Sequence, residues 1–69
     1  MKLVNRIGDY RIYALDEREC KQHHKPYPCY VCWEEKLGTT NRDIGNLSLT
    51  ENESDTLQDM VDWCKDNSY

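Results

Sequence analysis

Between Cys20 and Cys32, within thirteen residues, the sequence places three cysteines and two adjacent histidines. This cluster constrains the fold more than any other feature. A chain of 69 residues has room for one domain and buries too little apolar surface to be secure without a staple. Only 38% of the residues are hydrophobic and Phe is absent, so Leu, Ile, Val, Tyr and Trp must build a thin core. Cys20-x2-His23, or Cys20-x3-His24, followed by Cys29-x2-Cys32 supplies two ligand pairs. Three thiolates and one imidazole match the closed tetrahedral set of structural zinc. The expected site is one structural zinc ion on Cys20, His23, Cys29 and Cys32, with His24 as the alternative imidazole and Cys64 as the alternative fourth ligand.

Two other readings compete with the metal. The four cysteines could form two disulfides, or they could be buried thiols that serve as small apolar fillers. No basic segment followed by a long apolar run opens the sequence, and no run is long enough to cross a bilayer. The expectation is therefore a cytoplasmic, non-membrane protein, where thiols stay reduced and clustered Cys and His favour metal.

The remaining pattern predicts an α+β domain spanning residues 1–69. Residues 2 to 7 and 10 to 15 alternate apolar and polar side chains around Gly8-Asp9, the signature of an N-terminal β-hairpin. Residues 16 to 28 are charged and end in Pro-Tyr-Pro, which predicts a metal-binding loop. Residues 27 to 33 and 44 to 49 suit short strands, with a turn-rich segment over 38 to 46. Thr50 and Glu53 have the spacing of a capping box. Leu57, Met60, Val61 and Cys64 then recur at i, i+3, i+4 and i+7, predicting one C-terminal amphipathic helix over 51 to 66.

Catalysis is not expected. Four protein ligands leave a zinc ion no open position for substrate. Cys29-Tyr30-Val31-Cys32 does not open a helix as a thioredoxin-type motif does, and Trp33 after Cys32 breaks the c-type haem signature. In compactness, residues 20 to 32 resemble a zinc knuckle, a module of single-stranded nucleic-acid binding, but in the ligand order Cys-His-Cys-Cys rather than Cys-Cys-His-Cys. Lys21, Lys25, Tyr30 and Trp33 would then form a stacking platform with basic neighbours.

Charge favours a different partner. The net charge is −4, and its distribution is one-sided: residues 1–42 hold eight Lys/Arg against six Asp/Glu, whereas 43–69 hold one against seven. Asp55, Asp59, Asp62 and Asp66, with Trp63 as an aromatic anchor, define a face suited to a protein with a basic surface. The leading expectation is thus a non-catalytic zinc-binding interaction module, an accessory or inhibitory protein. A knuckle-like nucleic-acid binder comes second, and a metal-free thiol or disulfide protein third.

Overall fold

A computed structural model of the chain describes residues 1–35 and 47–68. Four antiparallel strands lie in chain order: β1 (Lys2–Ile7), β2 (Tyr10–Leu15), β3 (Cys29–Glu34) and β4 (Asn52–Ser54). A short helix α1 (Glu17–Gln22) connects β2 towards β3, a 3-10 turn covers Leu47–Leu49, and α2 (Leu57–Asn67) ends the described chain. The α+β expectation holds, as do the hairpin and the strand through Tyr30 and Trp33.

The hairpin turns on Gly8, whose φ of +57° is open to glycine without strain. Across β2 and β3 the register pairs Ile12 with Cys32 and Leu15 with Cys29. Side chains alternate along a strand, so each pairing assigns its residues to one face. Leu15, Cys29, Val31 and Trp33 are buried on one side with Cys20 of α1; Tyr10, Ile12 and Cys32 are buried on the other with Met60 and Cys64 of α2. The thin core is therefore two small cores separated by a sheet with a helix on each side. Edge-to-face rings reinforce both: Tyr13 on Trp33 at 5.3 Å and Tyr10 on Trp63 at 5.4 Å between centroids.

Three expectations are corrected. Residues 16 to 28 are not all loop, because Asp16 caps α1 by accepting from the Glu19 amide at 2.7 Å while the Glu19 carboxylate accepts from the Asp16 amide at 3.1 Å. The C-terminal helix begins at Leu57, not 51, and Thr56 is its N-cap, accepting from the Asp59 amide at 3.2 Å. The Thr50 hydroxyl instead donates to the Leu47 carbonyl, and Asn52–Ser54 pair with the otherwise open edge of β3. Backbone hydrogen bonds along that edge outweigh one helical turn at a fraying terminus. Of the strand expected over 44 to 49, the first residues lie outside the described ones and Leu47–Leu49 form the 3-10 turn.

The apolar stripe of α2 behaves as its spacing requires. Met60 and Cys64 are fully buried, and Leu57 and Val61 pack at the margin. No helix among the described residues is long and apolar enough to cross a membrane.

Candidate functional site: two thiol pairs on opposite faces of the sheet

The Cys29-x2-Cys32 spacing converges two sulfurs only when the backbone turns between them. Here both residues belong to an extended strand, where an odd separation sends side chains to opposite faces. Cys29 consequently meets Cys20 of α1, and Cys32 meets Cys64 of α2. All four are free thiols and all are buried.

This placement does not fit the expected four-ligand zinc site. Cys32 is divided from Cys20 and Cys29 by the sheet itself. His23 is the exposed C-cap of α1. His24 is also exposed and takes the left-handed position just after the helix, at φ +56°. There the Lys25 amide donates to the Cys20 carbonyl at 2.8 Å and the His24 amide to the Lys21 carbonyl at 3.3 Å, the paired bonds of a Schellman stop. His24 thus does a backbone job that glycine usually does. Among the described residues no three His, Cys, Asp or Glu side chains converge on a metal-sized site. The alternative set with Cys64 is likewise divided by the sheet, with Cys32 and Cys64 on one face and Cys20 and Cys29 on the other.

Cys20 and Cys29 are thus buried together in one cluster, and Cys32 and Cys64 in the other. Burial raises all four thiols above the ordinary value. Cys29 is pushed up to about 11, with the neighbouring Glu53 carboxylate as the next cause. Cys32 is pushed up to about 12, with Cys64 next. Protonated, buried thiols are poor nucleophiles until they are opened to solvent.

The two pairs differ in access. Cys29 lines a cleft of about 380 Å³ with Pro26, Pro28, Glu53, Ser54 and Asp55. Lys25, positioned by the Schellman stop, donates from Nζ to Oε1 of Glu53, one of the residues that line the cleft. Cys32 of β3 and Cys64 of α2 lie between the sheet and that helix, both fully buried.

No family model, curated protein or solved structure matches this chain. The site therefore rests on its own geometry.

The residues expected for nucleic-acid stacking do not form one platform. Tyr30 and Trp33 are three apart on β3 and face opposite sides, Trp33 being buried against Tyr13. Lys25 is engaged with Glu53, and Lys21 is exposed at the end of α1. The acidic residues are presented together: Asp55, Asp59, Asp62 and Asp66 are all exposed. Trp63 is half-buried beneath them on Tyr10. The thiol pairing and the roles of Lys25 and Glu53 were missed by sequence reasoning. Counting the parity of 29 and 32 along a strand would have separated those two cysteines.

Proposed function

We propose that the chain is a non-catalytic interaction module, an accessory or inhibitory protein that docks a basic protein surface with the outer face of α2. The division of that helix carries the reading. Its inner stripe is committed to the core through Met60 and Cys64. On its outer side Asp59, Asp62 and Asp66 follow at i, i+3 and i+7, and Asp55 and Glu51 extend the exposed acidic row beyond the helix start. Among the described residues none of these carboxylates is in a salt bridge; Asp62 accepts from Gln58 at 2.9 Å.

Like charges at helical spacing repel by a few tenths of a kcal/mol per pair. A cationic partner surface would turn that repulsion into attraction and accelerate encounter. The buried, protonated thiols support the non-catalytic half of the reading, because the thiolate is the reactive form.

The test is a charge reversal. Affinity capture with the wild-type chain should retain a protein with a basic surface, and D59K/D62K/D66K should weaken that binding at least tenfold, about 1.4 kcal/mol. Undiminished binding by the triple variant would refute the acidic-face reading. Tight, steeply salt-dependent binding of the wild type to a single-stranded oligonucleotide would favour the nucleic-acid alternative instead.

A further inference from the structure

We infer that the four cysteines close into two disulfides, Cys20–Cys29 and Cys32–Cys64, each fastening one helix to a different face of β3. The inference starts from the misfit with zinc. A metal centre would gather the sulfurs to one point, whereas this fold sorts them into two separate buried clusters. Each cluster holds two of the four cysteines, and the sorting leaves none over. Each pair also joins two different elements: α1 to β3, and β3 to α2. That is where a covalent bond adds most to a domain with two small cores.

The chemistry is thiol–disulfide exchange with a low-molecular-weight disulfide such as oxidised glutathione. One protein thiol loses its proton and attacks a sulfur of the small disulfide, breaking its S–S bond and releasing one thiolate. The second protein thiol then attacks the mixed disulfide, forming the internal S–S bond and releasing the other thiolate. Two electrons pass from the protein pair to the small molecule, and the two protons end on the two released thiols.

Access orders the steps. Cys29 borders the cleft, so it is the entry sulfur and Cys20 the resolving one. Cys32 and Cys64 lie fully buried and react only when α2 lifts from the sheet. The second bond closes the longer segment of chain, so it removes more entropy from the unfolded state.

The experiment treats the fully reduced chain with oxidised glutathione, quenches aliquots by alkylation, and reads intact mass and unreduced peptide maps. A species with two alkylated thiols and a Cys20–Cys29 bond should form first. A species with no free thiol, carrying Cys20–Cys29 and Cys32–Cys64, should follow. The melting temperature should rise by about 10 °C or more for each bond. C20S/C29S should still form Cys32–Cys64, and C32S/C64S should still form Cys20–Cys29. Persistent alkylation of all four thiols, a bond between Cys29 and Cys32, or a stable glutathione adduct would overturn the inference. So would one equivalent of added zinc that protects three or more thiols from alkylation.

Discussion

Tyr10 of β2 and Trp63 of α2 meet edge to face, with ring centroids 5.4 Å apart and planes at 74°. The contact holds the helix over the core formed by Ile12, Cys32, Met60 and Cys64. Such a pair contributes about 0.5–1.5 kcal/mol beyond the area that it buries. Trp63 is only half-buried, so Trp63→Ala should cost about 2 kcal/mol, less than a fully buried tryptophan would. A double-mutant cycle with Tyr10→Leu should return a coupling of about 1 kcal/mol. Urea unfolding of the four proteins measures both, and a coupling of zero would mean that the rings only share a neighbourhood.

His24 makes the opposite kind of prediction, a stabilisation. Its φ of +56° is a conformation that a residue with a Cβ adopts at a cost, while glycine adopts it freely. The bonds that require this conformation are made by the backbone and do not use the imidazole. His24→Gly should therefore stabilise the fold by about 0.5–1 kcal/mol, whereas His24→Val should destabilise it by at least as much. A loss of stability in His24→Gly would show that the imidazole itself is needed, as a ligand would be.

The helix start can be checked by two threonines. Thr56 accepts from the Asp59 amide, so Thr56→Ala should cost about 1 kcal/mol. Thr50 donates to a carbonyl in the 3-10 turn and caps nothing, so Thr50→Ala should cost about half as much or less. Thermal melts of the two variants decide the matter, because a helix beginning at 51 would reverse their order.

These cases show which parts of the fold are legible in the sequence. The alternation over β2 and the 3.6-residue stripe through Met60 and Cys64 report burial directly, whereas β1 forms as expected but stays exposed up to the half-buried Ile7. End signals are weaker because several residues compete for one role. Thr50-x2-Glu53 and Thr56-x2-Asp59 are both plausible starts, and pairing with β3 chose the second. Asp16-x2-Glu19 is a real capping box, overlooked because the helix that it opens is short and charged. The cysteines misled for a related reason. Their spacing suits a metal loop, but Tyr30, Val31 and Trp33 between and beside them favour a strand, and a strand sends Cys29 and Cys32 apart.

Stability at alkaline pH should distinguish the reduced from the cross-linked chain. Burial raises Cys29 to about 11 and Cys32 to about 12, against an ordinary thiol value of 9.0. Below about pH 9 both thiols are protonated whether the chain is folded or unfolded, so the stability linked to them is fully present. Above it the unfolded chain loses these protons while the folded chain keeps them. The unfolded state then binds fewer protons, and unfolding becomes easier by about 1.4 kcal/mol per pH unit for each thiol. The decline should level off as pH passes the folded values near 11 and 12. Tyr10, also raised by burial, adds a slope of the same sign in both forms of the protein. The diagnostic quantity is therefore the difference between them. Urea unfolding between pH 8 and 11 should show a steeper loss for the reduced chain than for the oxidised one, and Cys32→Ser should remove part of the excess. Equal slopes in the two forms would mean that the thiols are not held protonated by the fold.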